Sequence, residues 1–441
     1  MGNTFSLDNA SVNVNLKLSL SLLCTKQTCP FWRLESGKPD RIIIKLKINK
    51  THFRYPLDGD VLRYAHQIRF NQEKEVEPIN VYNFSFLKDC KDKCREDGAP
   101  ITPKLVFLIK SSLKNFEQRG AIRKTWGYER RFSDVVIRTV FLLGLGDNRE
   151  LQKHIDIESE QYKDIVQANF VDAYFNNTVK TMMGFQWAVK FCPRSRFFMF
   201  VDDDFYISAK NVLRFIRNPT KYPEYLEEAD ETLRKLARRL NQSDLRNSSA
   251  NLLLIEDANK ALALGLNSVD QKKHFHHLEK FVVKGPAAYE KEMRPRQALR
   301  RKKRHLMDME LSSDAKLFAG FMFRSAPHRH KPSKWYVSLA EYPYHLWPPY
   351  VTAGAYILSR EALLEMYYVS MFTKHFRFDD IYLGIVALKA KIDPFHCEEF
   401  HFHKAVYTGP HSYRYVIASH GYESATDLVR VWTETRAAGH A

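Results

Sequence analysis

The sequence lacks any apolar run long enough to cross a membrane. Its best N-terminal candidate, residues 16–24, is interrupted by Lys17 and by serines, whereas a transmembrane helix needs about 20 consecutive apolar residues. The same stretch lacks the basic start and the long apolar core of a signal peptide. Neither an anchor nor a leader is therefore predicted within these residues, and we interpret the N-terminus as truncated or misassembled.

The sequence also has few cysteines, and fewer acidic than basic residues. The six cysteines form no pair of Cys-x-x-Cys motifs, which argues against a structural zinc site and leaves disulfides open. Basic residues outnumber acidic ones, so the formal net charge is +17. This charge predicts an acidic partner, which on charge alone is a nucleic acid, an anionic membrane or a phosphorylated small molecule.

The remaining composition is that of a folded protein with an alternating pattern of strands and helices. The chain has 441 residues, of which 44% are hydrophobic and 13% aromatic, enough by length for two or three domains. Strand-like segments lie at 104–111, 134–144 and 165–170, and helix-like segments at 115–126, 150–162 and 173–191. This alternation predicts an α/β fold with a mainly parallel, doubly wound sheet and helices on both faces.

Three adjacent carboxylates follow a further strand. The apolar residues 197–201 lead directly into Asp202, Asp203 and Asp204, at the end of the strand where ligands bind in open α/β sheets. Adjacent carboxylates repel one another unless a cation compensates, and oxygen ligands suit Mg²⁺ or Mn²⁺, typically with a phosphate. We therefore predict a metal site. The alternative is a solvated turn with capping aspartates.

Five ordered blocks resemble the signature blocks of the inverting β1,3-glycosyltransferases. They are RGAIRKTWG at 119–127, NNTVKT at 176–181, the triple aspartate, WPPYVTAGAYILS at 347–359 and FDDIYLG at 378–384. Within this family, SKWYVSL at 333–339, the block at 347–359 and RFDDIYLGIVALK at 377–389 look closest to the brainiac-type enzymes. Ordered blocks across about 300 residues are far more specific than a single motif.

The resemblance implies a nucleotide-sugar-binding fold of the GT-A type, a Mn²⁺ (or Mg²⁺) ion and a UDP-sugar donor. It implies metal contacts from Asp202, Asp204 and His420, with Asp204 as the first choice, and a catalytic base at Asp380. Further residues implied near the donor nucleotide are Arg119, Arg123, Lys180, Asp202 and Asp203. Without the resemblance, solvated helix arginines and a helix-capping Asp380 are the alternative interpretations.

The segment WPPY at 347–350 cannot lie inside a helix, because two adjacent prolines fix an extended or turn backbone. We predict a rigid loop whose aromatic faces stack on a sugar. Gly354 would let the chain pass close to a ligand, and for Trp335 core packing is the alternative. The predicted acceptor residues are Trp335, Trp347, Tyr350, Gly354 and Asp379.

The predicted function is a metal-dependent, inverting transfer that forms a β1,3 linkage. The expected donor is UDP-N-acetylglucosamine and the expected acceptor a β-linked mannose, or a similar hexose, of a glycolipid or glycoprotein glycan. UDP-galactose or UDP-N-acetylgalactosamine is the alternative donor. The resemblance implies a type II membrane protein of the Golgi apparatus facing the lumen, and six Asn-x-Ser/Thr sequons are compatible with a secretory route.

Two other functional classes are open on sequence alone. The first is a basic nucleic-acid-binding or metal-dependent phosphoryl-transfer protein. It needs aromatics interleaved with a basic stripe, whereas aromatics cluster here at 335–350. The second is an inactive carbohydrate-binding relative, against which the intact Asp202, Asp204 and Asp380 argue. We therefore expect no nucleic-acid partner.

Two regions lie outside the predicted family blocks. Residues 1–100 are irregular apart from a strand candidate at 41–48, and we predict a stem or N-terminal extension before a catalytic domain at 101–441. Residues 220–315 are polar and helical in pattern, with seven Lys or Arg at 294–304, where the family needs only a short connector. We predict a partly disordered insertion beside the active site, which a retained intron would also explain.

Overall fold

The computed structural model describes residues 61–227, 231 and 311–441. The strand predicted at 41–48 and most of the insertion predicted at 220–315 lie outside these residues. The domain limits and the insertion therefore stay predictions.

Helices and strands alternate along the described part of the chain. Its α-helices are α1 (Val61–Arg69), α2 (Phe116–Lys124), α3 (Arg149–Tyr162), α4 (Asn177–Phe191), α5 (Ala209–Arg217), α6 (Arg360–Ser370), α7 (Asp379–Lys389) and α8 (Ala425–Ala437). None of these helices combines the length and the apolar composition needed to cross a bilayer. The described strands are β1 (Phe86–Lys88), β2 (Arg95–Glu96), β3 (Ala99–Pro100), β4 (Leu105–Lys110), β5 (Ile137–Leu145), β6 (Ile165–Val171), β7 (Phe197–Asp202), β8 (Tyr206–Ile207), β9 (Phe318–Phe323), β10 (Tyr350–Ser359), β11 (Phe395–His396), β12 (Phe400–His401) and β13 (Ala418–Ser419).

An eight-stranded sheet forms the centre of the described part, in the order β1-β6-β5-β4-β7-β10-β9-β11. Neighbours among β6, β5, β4 and β7 are parallel, while β10 runs antiparallel to both β7 and β9. The parallel part follows from the alternation of strands and helices, because a helical crossover returns the chain to the same edge of the sheet. The predicted mainly parallel α/β fold is confirmed, with antiparallel pairing at β1 and β10.

Both faces of this sheet are covered, which explains the continuous apolar run of β7. Phe198 and Phe200 belong to one core cluster, and Phe197, Met199 and Val201 belong to the other. Because side chains alternate between the faces of a strand, such a run requires an apolar environment on each side. Helices α4, α6 and α7 contribute to the first cluster and helices α2, α5 and α8 to the second.

The segment before β4 packs against this α/β unit. Arg69 of α1 pairs with Glu361 at 2.7 Å and with Glu365 at 3.3 Å, both on α6. A disulfide joins Cys94 to Cys192, the residue after α4. These contacts favour a folded unit that begins at or before Val61.

Candidate active site

Strands β4 and β7 are neighbours whose last residues, Lys110 and Asp202, lie opposite each other. Lys110 Nζ lies 3.0 Å from Asp202 Oδ1 and 3.0 Å from Asp379 Oδ2 at the start of α7. Burial alone would lower the pKa of Lys110, but the two carboxylates raise it, so the lysine stays cationic. Lys110 was not among the predicted residues. Its signal in the sequence is a lysine that ends the apolar run at 105–109.

The three adjacent aspartates have different surroundings. Asp203 is buried, and its Oδ2 accepts hydrogen bonds from Ser111 Oγ at 2.6 Å and from Asn115 Nδ2 at 3.0 Å. Asp202 keeps 36% of its side chain exposed. Asp203 is therefore held by the protein itself, while Asp202 and Asp204 are the acids of this triplet with groups left for a ligand.

A small sheet, β12-β13-β8, brings His420 to Asp204. Strand β8 starts two residues after Asp204 and pairs with β13, which ends at Ser419. His420 therefore lies beside Asp204 although 216 residues separate them along the chain. Its Nε2 donates a hydrogen bond of 3.0 Å to Asp204 Oδ2, which raises the pKa of His420. The structure thus brings two of the predicted metal ligands together.

The donor set at this point fits a divalent cation. The second oxygen of Asp204, Oδ1, is buried and has no hydrogen-bond partner, which is costly for a carboxylate. Burial raises the pKa of Asp202 to about 7; Lys110 opposes this shift, and Asp204 and Asp379 add to it. Across residues 61–227 and 311–441, no group of three or more His, Cys, Asp or Glu could hold a metal by itself. Asp204 and His420 would therefore share a cation with substrate oxygens and water, as Mg²⁺ sites commonly do.

The two arginines predicted beside the nucleotide are paired with carboxylates. Arg119 is fully buried, and its Nε donates to Glu158 Oε1 at 2.9 Å while its Nη1 donates to Ser111 Oγ at 3.0 Å. Arg123 donates to Glu158 and to Asp164, each at 2.7 Å. Neither side chain is a solvated surface arginine, so that alternative interpretation is wrong.

Lys180 has similar surroundings. Its Nζ lies 2.7 Å from Asp172 Oδ1 and donates a hydrogen bond of 2.6 Å to the backbone oxygen of Ser111. Ser111 is thus held by Lys180 and Arg119, and in turn holds Asp203. Nucleotide contact stays a prediction for the three basic residues, and their bonds favour a supporting role behind the aspartates.

Asp379 and Asp380 lie in the first turn of α7 but are held differently. Asp379 is buried, and its Oδ2 accepts from Lys110 Nζ and from Thr181 Oγ1, each at 3.0 Å. Asp380 is half-buried, and its Oδ1 accepts from the Ile381 backbone amide at 2.8 Å. Burial and the neighbouring Asp379 raise the pKa of Asp380 to about 7. The N-cap position belongs to Phe378, whose side chain makes no cap bond, and Asp380 bonds an amide of the first turn instead.

A cavity of about 590 Å³ opens at this edge of the sheet. The charged residues that line it are Lys110, Asp202, Arg377, Asp379 and Asp380. Four predicted acceptor residues, Trp335, Trp347, Tyr350 and Asp379, lie in its walls. Further wall residues that sequence reasoning missed include Tyr174, Asn177, His328 and Phe402. The predicted base and the predicted acceptor aromatics therefore share one cavity.

The predicted acceptor residues differ in burial. Trp347 is 5% exposed and packs on Tyr342, with ring centroids 4.1 Å apart. Trp335 is 46% exposed, so the core-packing interpretation is wrong for this residue. A Cβ on Gly354 would lie 2.6 Å from the ring of Phe205. Gly354 therefore permits the close approach of Phe205, the residue directly after the three aspartates.

Arg329 organises the loop between β9 and β10, which carries both tryptophans. Its Nη1 donates to Val337 O at 2.7 Å and Ser338 O at 2.8 Å, and its Nη2 donates to Tyr342 O at 2.7 Å and Tyr344 O at 2.9 Å. A planar guanidinium fixes the directions of these donors. One side chain therefore sets the course of the loop. No local sequence pattern distinguishes Arg329 from the other basic residues nearby.

Comparisons with known proteins identify relatives of this chain. The profile of the Galactosyltransferase family matches residues 117–235 and 302–398. The Drosophila melanogaster beta-1,3-galactosyltransferase brn is 41% identical over 338 residues, which cover 77% of this chain and 76% of that protein. The mouse beta-1,3-galactosyltransferase 1 is 25% identical over 363 residues, 82% of each chain. The mouse beta-1,3-galactosyltransferase 5 is 28% identical over 322 residues, 73% of this chain and 71% of that protein.

Proposed function

Because this chain belongs to the Galactosyltransferase family and is a hexosyltransferase, we propose that it uses a UDP-sugar to form a β1,3 linkage with inversion. The proposed donor is UDP-N-acetylglucosamine, and the proposed acceptor is a β-linked mannose, or a similar hexose, of a glycolipid or glycoprotein glycan. The brainiac-like blocks at 333–339 and 377–389 support this choice.

The contrast between Asp379 and Asp380 is the observation that carries the proposal. Both acids line the cavity. Lys110 and Thr181 hold the Asp379 carboxylate, whereas Asp380 accepts from a backbone amide and has a pKa raised to about 7. A general base works best when its pKa lies near the operating pH and its oxygen reaches the substrate. The raised pKa of Asp380 and its position in the cavity wall support this role.

The proposed reaction is a single displacement. An acceptor hydroxyl in the cavity loses its proton to the Asp380 carboxylate as its oxygen attacks the anomeric carbon of the donor. General-base help of this kind is worth roughly 10² to 10⁴ in rate. Attack from the face opposite the leaving diphosphate converts an α-linked donor into a β-linked product.

The leaving diphosphate requires positive charge. A bound divalent cation would supply it by neutralising the developing charge on UDP. Asp204 and His420 are the residues proposed to hold that cation, because they lie 3.0 Å apart and Asp204 Oδ1 is otherwise unpaired. Lys110 adds a buried positive charge beside Asp202. Its additional contact with Asp379 fixes the start of α7 relative to the aspartates.

UDP-galactose is the second candidate donor, with UDP-N-acetylgalactosamine as a further alternative. The relatives compared above carry the name beta-1,3-galactosyltransferase, which favours galactose. A panel of the three UDP-sugars against β-mannosides and β-galactosides, with Mn²⁺, tests the proposal by mass spectrometry and NMR of the products. A product without a β1,3 linkage, or hydrolysis of the donor with no transfer, would refute it.

We place the enzyme in the Golgi lumen, as a type II membrane protein. The Cys94–Cys192 disulfide supports an oxidising compartment, and the sequon at Asn83 lies on an exposed residue. Protease protection in sealed Golgi vesicles tests this placement. Digestion of the catalytic unit without detergent would contradict it.

A further inference from the structure

The mouth of the cavity carries two exposed aromatic side chains from different parts of the chain. Tyr174, in the turn before α4, and Trp335 both line the cavity, with 54% and 46% of their surface exposed. Lys334 lies between them. Its Nζ is 4.4 Å from the ring centroid of Trp335 and 5.8 Å from that of Tyr174. We refer to Tyr174, Lys334 and Trp335 as the rim.

The same cavity also has a buried aromatic residue in its lining. Trp347 is 5% exposed and lines the same cavity as Asp380, so the reacting sugar has an aromatic wall without the rim. The volume of about 590 Å³ lies within the range of pockets that enclose whole drug-sized ligands. The cavity lining therefore includes both a buried aromatic residue and the exposed aromatic residues of the rim.

We propose that the rim binds the second sugar of the acceptor, to which the reacting hexose is attached, so that the enzyme recognises at least a disaccharide. This inference rests on the proposed function. Sugar C–H faces stack on exposed aromatic rings, which have an apolar body, while sugar hydroxyls need polar partners. Lys334, Asn177 and His328 supply such groups next to the rings.

A hydrocarbon chain fits the same surface less well. It would cover the Lys334 ammonium and the cavity-lining Asn177 and His328 without giving them hydrogen bonds, which costs free energy. A sugar ring offers both an apolar face and hydroxyl groups. The mixed chemistry of the rim therefore favours a sugar.

The test compares three kinds of acceptor. They are methyl β-mannoside, methyl glycosides in which the same mannose is joined to glucose or N-acetylglucosamine, and octyl β-mannoside. We expect kcat/KM for a disaccharide to exceed that for the methyl monosaccharide by roughly tenfold. Tyr174→Ala and Trp335→Ala should each bring this ratio close to one. Tyr128→Ala is the matched control, because Tyr128 is 53% exposed and lies outside the cavity lining, and it should keep the parent ratio.

Two results would overturn the proposal. Equal kcat/KM for monosaccharide and disaccharide would show that no second sugar is bound, and an advantage found only with the octyl glycoside would assign the rim to a hydrocarbon. If no acceptor is turned over, the proposed function has failed. Calorimetric binding of the same glycosides to the parent and to Tyr174→Ala then tests whether the rim binds the second sugar. Only in that case does the parent bind a disaccharide more tightly than the monosaccharide and the variant lose this difference.

Discussion

Nζ of Lys110 lies 3.0 Å from Oδ2 of Asp379, within hydrogen-bonding distance and away from solvent. This ion pair fixes the first acid of α7, whereas the second, Asp380, lines the same cavity and is not part of the ion pair. Two adjacent aspartates therefore have separable roles. Substitution of each should affect a different property of the enzyme.

Asp380→Asn should lower kcat by roughly 10² or more. Asparagine keeps the shape of the side chain but cannot accept a proton at neutral pH. Affinity for the UDP-sugar, measured by calorimetry with Mn²⁺, should stay within about threefold of the parent, because the groups proposed to bind the donor are unchanged. Equal loss of donor binding and turnover would instead make Asp380 a donor-binding or structural residue.

Asp379→Asn serves as the matched variant. It removes one partner of a buried lysine, a change that costs up to about 3 kcal/mol, although Asp202 remains in contact with Lys110. We expect a lower thermal midpoint and a milder loss of kcat than in Asp380→Asn. If Asp379 proves to be the indispensable acid while the protein stays stable, the assignment of the base is reversed.

Activity should fall on acidification through about pH 7. Burial and Asp379 raise the pKa of Asp380 to about 7, and the base works only as the ionised carboxylate, so kcat/KM is retained above this pH and lost below it. An aspartate with an ordinary pKa would stay ionised to about pH 4. Initial rates between pH 5 and 9 measure the effect. A profile that stays flat down to pH 5 contradicts the assigned pKa.

Asp204→Asn should abolish transfer and weaken Mn²⁺-dependent UDP binding while leaving the fold intact. The substitution removes the negative charge at the proposed metal contact, whose Oδ1 is otherwise unpaired, and replaces one of the two oxygens with an NH₂ group. His420→Ala should weaken Mn²⁺ binding less, since an anionic ligand is lost in the first variant and a neutral one in the second. Calorimetry of UDP binding with and without Mn²⁺ measures the loss in each variant. Normal transfer by Asp204→Asn would refute the metal assignment.

Arg329→Lys should raise the acceptor KM by roughly tenfold with little change in donor affinity. A lysine keeps the charge but cannot donate in two fixed directions to four carbonyls. The loop that carries Trp335 is therefore no longer held in its conformation. Lys331→Ala, in an exposed position of the same loop, is the control. A uniform fall in kcat with an unchanged acceptor KM would show that Arg329 supports the whole fold instead.

The main sheet was predictable from local pattern. The runs at 105–109 and 197–201 are apolar without interruption, because their strands are buried on both faces, and the acids that follow mark the ligand-binding edge. The same pattern conceals Lys110, which looks like the solvated end of a strand although it is buried between two carboxylates.

Other site features depend on contacts distant in the chain. Arg119 has the spacing of a surface helix residue, and only its pairing with Glu158, 39 residues away, explains its burial. His420 reaches Asp204 through the pairing of β8 with β13, two strands of two residues each, too short to give a periodic signal. The resemblance to the family identified His420 as a candidate ligand, because no local sequence pattern marks this residue.

The bonds of Arg329 bear on how acceptor preference can change in evolution or by design. All four acceptors are backbone oxygens, which every amino acid provides, so the path of the loop does not depend on which side chains it displays. Exposed positions such as Trp335, Leu339 and Leu346 can therefore be exchanged while the loop keeps its shape. This makes the exposed positions among residues 335–346 suitable for randomisation in a library for altered acceptor selectivity, with Arg329 and the buried Val337 and Tyr342 left in place.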